Sequence, residues 1–335
     1  MNTSFLRFLL LGALAAFFSC GVLNAAKPSR PVGAKEEVDI FYALKDGDWH
    51  SNIWGIAEAY SGKQPADLKI GNKRPGKNDR TNLGRNGITV TVSKPVEVLN
   101  YTQRSNKATL VFAKGADFKA ESFEGQRGNG SSGTFIVQEG AKLEVRGMRL
   151  SGRTLTDDGT GTMNQQGGEV RILTALWLTD GRTASSSPKA TGIYNLNAGT
   201  LDIGSNATLP ALFKGIGKGI FNFNGGTLVV KSLNDSLENK GGTLAPGGVG
   251  EPGNILLLPN SKGAPVYKQN KGASLAIDIA GQSKFDKLHW KCEAKNGEVV
   301  LEDGAQIEVT LGKGYRPTTG TEFEIIAADK LTVNG

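Results

Sequence analysis

Side chains that could carry catalysis or bind a metal are few in this chain. Its 335 residues include two histidines, His50 and His289, and two cysteines, Cys20 and Cys292. Neither histidine has a second histidine at metal-ligand spacing, and the chain has no Gly-x-Ser-x-Gly elbow or phosphate-binding loop. Cys292 lies on the apolar face of a period-2 strand and is predicted to point into a core. The sequence therefore predicts no catalytic residue, no metal ligand and no cofactor.

The best pair of carboxyl groups is Asp157 and Asp158, which precede Gly159. Glycoside cleavage needs two carboxyl groups across the bond, and β-helical polysaccharide hydrolases place paired acids on one face. No acidic motif or histidine accompanies this pair in the neighbouring repeats, which predicts that the pair stands alone. The pattern is typical of a turn, so residues 153–162 are interpreted as a loop. Two aspartates also supply too few oxygens for a closed calcium site.

Three aromatic residues, Trp49, Trp54 and Tyr60, lie close together near the start of the predicted mature chain. If their rings were exposed, they could stack on sugars and form a carbohydrate platform. If they were buried, they would close the open first unit of a repeat protein. We favour the hydrophobic cap.

Four asparagines, Asn195, Asn197, Asn222 and Asn224, precede the small-residue pairs that are predicted to form corners. One interpretation is a polar binding face. The favoured interpretation is that asparagine tolerates the corner conformation and hydrogen-bonds to the equivalent residue of a stacked neighbour.

The composition favours many short strands over helices. Glycine accounts for 46 of the 335 residues, and aromatic residues make up 7%. Interior glycine costs a helix about 1 kcal/mol per site, whereas tight turns between strands require it. The net charge of +7 is spread along the chain, which predicts no nucleic-acid partner. Cell-envelope or extracellular polysaccharide remains the partner that a weakly basic surface would attract.

The first 25 residues have the pattern of a secretory signal peptide. Arg7 precedes the apolar run 8–18, which is too short to span a membrane. Small residues follow, so the exported protein is expected to begin at Ala26 or Lys27. The alternative is a lipoprotein box, in which Cys20 would be lipidated and would attach the protein to a membrane.

The strongest signal is a six-residue unit that recurs eight times. It consists of two small residues, any residue, an apolar residue, any residue and usually a second apolar residue. The copies are 16 to 32 residues apart and begin at Gly115, Gly140, Gly167, Ala198, Gly225, Gly241, Gly272 and Gly304. The alternation predicts a strand with one buried face, and the small pair predicts a tight corner. One unit cannot bury its apolar face by itself, so the units are expected to stack.

These features together predict an all-β fold, a right-handed parallel β-helix (solenoid) with a β-rich C-terminal end. The predicted organisation is a signal peptide at 1–25, a lead-in segment at 26–48, the repeat region at 49–260 and a C-terminal β-strand region at 261–335. One residue of each repeat is expected to point inward, and this row includes Leu143, Val170, Leu201, Leu228 and Leu244.

Short motifs follow one another in a fixed order in the C-terminal half. They include NGGTL at 224–228, GTLAPG at 242–247, FDKL at 285–288 and GYRPTTGTEFEII at 314–326. In this order, and over residues 49–330, they resemble the motifs of autotransporter passenger domains built from β-strand repeats. The resemblance implies a parallel β-helix that is exported and often displayed on the cell surface. It also implies a hairpin formed by residues 267–269 and 275–279.

The expected function is that of a secreted or cell-surface bacterial protein with a structural or adhesive role and without catalysis. Two alternatives use the same fold: a polysaccharide-active enzyme (hydrolase or lyase) and a carbohydrate-binding module. An enzyme would bring three or more carboxylate, lysine or arginine side chains together on adjacent coils. A binding module would expose coplanar aromatic rings, and a structural protein would show neither. The sequence leaves the ligand and the oligomeric state open.

Overall fold

The computed structural model describes residues 38–57, 68–180, 186–204, 211–233, 235–248, 250–258, 265–290 and 297–335. These residues form strands and no helix, and the strands belong to one mostly parallel sheet. The strands are β1 (Ile40–Ala43), β2 (Gly47–Asp48), β3 (Trp54–Ala57), β4 (Arg80–Leu83), β5 (Thr89–Val92), β6 (Pro95–Gln103), β7 (Ala108–Phe112), β8 (Asp117–Gln126), β9 (Ser132–Val137), β10 (Lys142–Ser151), β11 (Thr160–Thr179), β12 (Thr191–Ile203), β13 (Leu212–Phe213), β14 (Lys218–Phe223), β15 (Thr227–Val230), β16 (Ser232–Leu233), β17 (Leu237–Asn239), β18 (Thr243–Leu244), β19 (Asn254–Leu257), β20 (Val266–Gln269), β21 (Ser274–Ile279), β22 (Lys287–Trp290), β23 (Glu298–Leu301), β24 (Gln306–Leu311), β25 (Ile326–Ala328) and β26 (Lys330–Val333).

The strand pairing follows three parallel ladders that run through the sheet. Ladder A contains β2, β5, β7, β9, the first parts of β11 and β12, β14, β17, β20, β23 and β26. Ladder B contains the first parts of β6, β8 and β10, the middle of β11, the end of β12, β15, β18, β21 and β24. Ladder C contains β1, β4, the ends of β6, β8, β10 and β11, β13, β16, β19, β22 and β25. The chain visits the ladders repeatedly in the order A, B, C.

The predicted repeat corresponds to ladder B. Its inward row begins at Phe118 and continues through Leu143, Val170, Leu201, Leu228, Leu244 and Leu275 to Ile307, each paired with the next. The five residues that the sequence placed inward, Leu143, Val170, Leu201, Leu228 and Leu244, are at most 1% exposed. The predicted inward row is therefore confirmed.

The pairs of small residues form the corners between ladders A and B. Gly199 has a φ of +78°, and a Cβ there would lie 2.3 Å from the carbonyl oxygen of Gly168 in the preceding repeat. Both the backbone conformation and the close approach of a neighbouring main chain therefore require glycine. This explains why the small pair recurs in every copy.

The space enclosed by the three ladders is filled mainly by apolar side chains from alternate strand positions. Buried pairs of a tyrosine and a glutamine interrupt this apolar core. Tyr101 donates its hydroxyl to Gln103 Oε1 at 2.8 Å, and Tyr267 donates to Gln269 Oε1 at 2.9 Å. In each pair the buried tyrosine hydroxyl thus has a partner, which offsets the cost of removing it from water.

The sheet begins at Ile40, within the segment predicted as a lead-in. β1 pairs with β4 in parallel and with β3 in the antiparallel direction. The predicted signal peptide, including Cys20, lies outside the described residues, as do Tyr60 and Cys292.

The hairpin implied by the resemblance is wrong. β20 pairs with β17 and β23, and β21 pairs with β18 and β24, all in parallel. Gly272, with a φ of +76°, turns the chain from ladder A to ladder B instead of reversing it. The C-terminal region 261–335 therefore continues the same three ladders.

Candidate functional site

Trp49 and Trp54 lie inside the first part of the stack and are 1% and 0% exposed. Their rings meet edge to face at 4.6 Å between centroids, and Trp54 Nε1 donates to the carbonyl oxygen of Trp49 at 2.8 Å. Trp49 also contacts Phe118, and Trp54 contacts Phe41. These rings cannot stack on a sugar, and their burial agrees with the favoured interpretation as a cap.

His50 has a carboxylate partner that the sequence did not reveal. Its Nδ1 lies 3.3 Å from Asp48 Oδ1, and the Ser93 hydroxyl donates to Asp48 Oδ2 at 2.5 Å. Burial acts to raise the pKa of Asp48, but hydrogen bonds from Ser93 and His50 outweigh it and lower the pKa. In a catalytic triad the histidine stands between the nucleophile and the acid. Here the aspartate stands in the middle, so His50 does not activate Ser93.

His289 lies on β22, between Leu256 of β19 and Ala327 of β25 in ladder C. Its neighbours in the ladder therefore offer no side chain for proton transfer or metal binding. Among the described residues, no group of three or more histidine, cysteine, aspartate or glutamate side chains could hold a metal ion.

Asp157 binds a backbone amide of its own turn, whereas Asp158 binds a backbone amide of a distant loop. Asp157 Oδ2 accepts from the Thr154 amide at 3.0 Å, and Asp158 Oδ1 accepts from the Gly130 amide at 2.5 Å. Asp157 nevertheless has a partner of opposite charge that the sequence did not predict. Its carboxylate is buried and lies 3.3 Å from Arg127 Nε.

Arg127 connects Asp157 to a larger group of charges centred on Glu124 of β8. The Glu124 carboxylate lies 3.1 Å from Arg127 Nη1 and 3.5 Å from Arg149 Nη1, and it also pairs with Arg153. The side chain of Glu124 is only 13% exposed, so this contact with three guanidinium groups is largely shielded from water.

Asp180 completes the group on the far side of Arg149. Its Oδ2 lies 3.0 Å from Arg149 Nε, and the two side chains are 4% and 8% exposed. We refer to these six residues as the Glu124 cluster: Glu124, Arg127, Arg149, Arg153, Asp157 and Asp180. Three carboxylates face three guanidinium groups, and the cluster is held by ladder C, where Glu124 pairs with Arg149 and Arg149 with Trp177.

A column of stacked planar groups extends the cluster along ladder C. The guanidinium of Arg149 lies 5.8 Å from the centre of the Trp177 ring. Trp177 stacks on Phe213 with centroids 5.8 Å apart and an angle of 12° between the rings. The flat faces therefore cover one another, whereas a sugar platform needs rings that lie side by side with free faces. A shallow depression of about 250 Å³ lies next to this column.

The cluster meets the condition that the sequence set for an enzyme, because at least three charged side chains converge from adjacent strands. The chemistry of these side chains, however, fits neither a glycosidase nor a lyase. A glycosidase needs two carboxyl groups that reach the sugar from either side of the bond, but these carboxylates are buried against guanidinium groups. A lyase needs free positive groups for an acidic sugar, but these guanidinium groups face carboxylates of the protein itself. The arrangement is that of a buried ion network.

A second line of charges alternates in sign on the outer side of ladder B. Glu97, Lys119, Glu144, Arg171 and Asp202 follow one another in register. Arg171 lies 3.4 Å from Glu144 and 3.7 Å from Asp202. A depression of about 330 Å³ along this line is lined by both signs of charge. Such a mixed surface provides no strong field for a polyanion.

Two buried aspartates hold the glycine–proline loop that connects β18 to β19. Asp278 Oδ2 accepts from the Gly250 amide at 2.6 Å, and Asp286 accepts from the amides of Gly253 and Asp278. Burial raises the pKa of Asp286 to about 6. A raised pKa can indicate an active site, but these carboxylates are occupied by main-chain amides. They explain why Asp278 of β21 and the FDKL motif accompany the GTLAPG loop.

The four asparagines of the sequence prediction lie on the outer side of ladder A or at its corner. Asn222 donates to Asn195 at 2.7 Å and Asn224 to Asn197 at 2.9 Å, while Asn195 donates to Asn164 at 2.7 Å. The hydrogen bonding between stacked repeats is therefore confirmed. The expectation that these asparagines adopt the left-handed corner conformation is wrong, because none of them has a positive φ.

Sequence reasoning missed the Glu124 cluster, although a signal for part of it was present. The first two repeat copies start 25 residues apart at Gly115 and Gly140, and the same shift relates Glu124 to Arg149. Asp157 and Asp180 lie in connections outside the six-residue unit, so the repeat did not indicate that they approach these residues.

Comparisons with protein-family models, with curated proteins and with solved structures find no match for this chain. The likeness to passenger domains therefore stays a prediction based on motifs. No helix within the described ranges has the length and apolar character needed to cross a membrane.

Proposed function

We propose that the three ladders wind as a right-handed parallel β-helix. The support is the cyclic order A, B, C in which the chain visits them, with every pairing after β3 between named strands being parallel. Each passage through the three ladders makes one coil. Crossovers between parallel strands of one sheet are right-handed in nearly all proteins, which gives the handedness.

We further propose that the protein is an exported surface or extracellular β-solenoid with a structural or adhesive role and without catalysis. The signal-peptide pattern of residues 1–25 supports export. The proposal that the protein lacks catalysis is supported by the Glu124 cluster, in which each carboxylate lies against a guanidinium group of opposite charge. Extracellular or cell-envelope polysaccharide is the proposed binding partner.

A polysaccharide-active enzyme is the second candidate, because the Glu124 cluster borders a depression of about 250 Å³. A carbohydrate-binding module has less support, since Trp177 and Phe213 cover each other's faces. The two leading candidates differ in what Glu124 does. It is a structural ion-pair partner in one and a reacting group in the other.

The test is an assay of the purified protein for turnover of neutral and acidic polysaccharides, together with co-sedimentation on insoluble ones. We expect no turnover by the wild type. Glu124→Gln, with Glu169→Gln on an exposed position as the matched control, is expected to lower the thermal midpoint only. The double variant Asp157→Asn, Asp158→Asn tests the turn acids in the same assay.

Turnover that is lost in Glu124→Gln or in the double variant but kept in Glu169→Gln, with unchanged circular dichroism, would replace the structural proposal with the enzymatic one. Retention on a polysaccharide without turnover would support the adhesive role.

A further inference from the structure

The outer side of ladder A forms one continuous surface over the strands β5, β7, β9, β11, β12 and β14. In each strand two residues point outward, and the residue between them points inward, as the fully buried Val90, Leu110 and Tyr194 show. The outward residues pair in register from strand to strand. They form a first row of Thr89, Thr109, Thr134, Thr162, Ile193 and Ile220, and a second row of Thr91, Val111, Ile136, Asn164, Asn195 and Asn222. We refer to these two rows as the Thr/Asn face.

The residues of the Thr/Asn face are uncharged, although charged residues make up 21% of the chain. The outer side of ladder B, by contrast, carries the line of alternating charges described above. Beyond β14 the outer side of ladder A is charged as well, through Glu238 of β17, Lys268 of β20 and Glu298 of β23. The uncharged surface therefore ends with β14, and it offers no charge to pair with an ion or a charged polymer.

The side chains of the Thr/Asn face offer hydrogen-bonding groups and methyl groups at a regular spacing. Hydroxyl and amide groups both donate and accept, whereas Val111, Ile136 and the threonine methyl groups are apolar. Asn222 donates to Asn195 and Asn195 donates to Asn164, each at 2.7 Å, which holds the amides in a fixed orientation. Neighbouring strands are about 4.8 Å apart, so each row is about 24 Å long. A ligand that fits this surface is extended, uncharged and regular.

A depression of about 350 Å³ adjoins the Thr/Asn face at β14. Its volume lies within the range of roughly 300–1,000 Å³ that is typical of small-molecule sites. The depression lies where β17, which is shorter than β14, pairs with it only at Phe223 and Asn239. Residues of both strands and of the turns next to β17 line it, among them Ile220, Phe221, Asn222, Ser236, Glu238 and Lys240.

Asn222 and Phe221 give the depression a polar group and an aromatic wall. The amide nitrogen of Asn222 donates to Asn195, whereas its side-chain oxygen accepts no hydrogen bond within the part of the chain that the structure describes. The ring of Phe221 is half-buried, and its centre lies 5.7 Å from that of the Tyr194 ring. An apolar wall with a few polar groups is the usual composition of a ligand site.

We propose that the Thr/Asn face and the adjoining depression bind an extended chain of an uncharged polysaccharide. The inference rests on the polysaccharide partner of the proposed function, and it adds the surface and the class of polymer. Sugar rings carry hydroxyl groups at their edges and C–H groups on their faces, and the polymer repeats both along its length. The Thr/Asn face repeats hydroxyl, amide and methyl groups in the same way, so each coil adds a contact.

In this arrangement one sugar unit fills the depression, with a hydroxyl group that donates to Asn222 and a ring face that packs on Phe221. The units that follow lie along the two rows of the Thr/Asn face. An acidic polysaccharide would find no row of positive charge there, which is why an uncharged polymer fits better.

The experiment measures how much of the full chain is retained on cellulose, on chitin and on an insoluble β-1,3-glucan, with calcium alginate beads as the acidic polymer. We expect retention on at least one uncharged polymer at low and at high salt, because the contact contains no ion pair. Thr134→Lys, in the middle of the Thr/Asn face, should weaken that retention by about tenfold or more, since the lysine loses water without gaining a partner.

Thr227→Lys is the matched control and should be retained like the wild type. Thr227 lies on the outer side of ladder B and, like Thr134 on ladder A, has a threonine on the neighbouring strand at either side. Ile220→Lys tests the depression and should weaken retention as Thr134→Lys does. Circular dichroism and the thermal midpoint check that all three variants are folded.

Unchanged retention of Thr134→Lys or Ile220→Lys, or an equal loss in Thr227→Lys, would overturn this inference and leave the proposed polysaccharide partner standing. Retention on alginate alone, with release at high salt, would do the same. A wild-type chain that is retained on none of the polymers would contradict both the inference and the proposed partner.

Discussion

Leu201 and Asp202 are neighbours in β12 whose side chains lie on opposite sides of the sheet. Leu201 is fully buried between Val170 and Leu228 of the same ladder. Asp202 is 30% exposed and faces Arg171, and burial raises its pKa against the influence of Arg171 and Lys231. The pair therefore offers one substitution on each side of the sheet at adjacent positions.

Leu201→Asp is expected to unfold the neighbouring repeats, at a cost of several kcal/mol, because it buries an unpaired charge. Asp202→Leu should cost less than about 1 kcal/mol, because its ion pair is partly screened by water. The denaturation midpoints of the two variants measure this difference. Equal effects would show that the inward register is wrong.

Asn195→Ala should reduce the free energy of unfolding by about 1–3 kcal/mol. Asn195 both donates to Asn164 and accepts from Asn222, each at 2.7 Å, so its loss leaves two half-buried amides without a partner. Asn224→Ala is the control, because Asn224 is exposed and is expected to lose less than about 1 kcal/mol. Chemical denaturation gives both values, and equal losses would contradict a stabilising role of the Asn195 contacts.

Asp286 is expected to make stability fall as the pH rises from about 4 to 6. Its folded pKa of about 6 is above the ordinary value of 3.8, mainly because the carboxyl is buried. The native state therefore holds a proton that the unfolded chain has released in this range. The contribution is complete below pH 3.8 and is lost as the pH passes the folded pKa.

The measurement is the free energy of unfolding of wild type and of Asp286→Asn at several pH values. Asparagine does not titrate, so the advantage of the wild type should be largest near pH 4 and smaller near pH 7, by up to roughly 2 kcal/mol. A difference that is constant across this range would show that Asp286 does not titrate there.

The exported protein is expected to begin at Ala26 or Lys27, because small residues follow an apolar run of signal-peptide length. N-terminal sequencing of protein recovered from outside the cytoplasm checks this expectation. A chain that begins with a lipid-modified Cys20 would establish the lipoprotein alternative and would place the protein on a membrane.

The amino-acid sequence determined the all-β class, the inward row of ladder B and the glycine corners. These features follow from local rules that every copy repeats. The alternation of apolar and polar residues determines which side of a strand is apolar. A corner that contains a glycine such as Gly199 determines where the chain turns. Because each repeat contacts mainly its neighbours, the spacing of the copies was enough to predict which residues stack.

Only the tertiary structure decided which distant charges meet and which interior residues remain uncovered. Glu124 approaches Asp157 and Asp180 through long arginine side chains and through irregular connections, whose course no period describes. The FDKL and GTLAPG motifs gave no sign that Asp286 holds Gly253. Ile307 has the same sequence pattern as Leu275, yet it is 40% exposed. Its burial depends on the layer above it, and local sequence does not encode that layer.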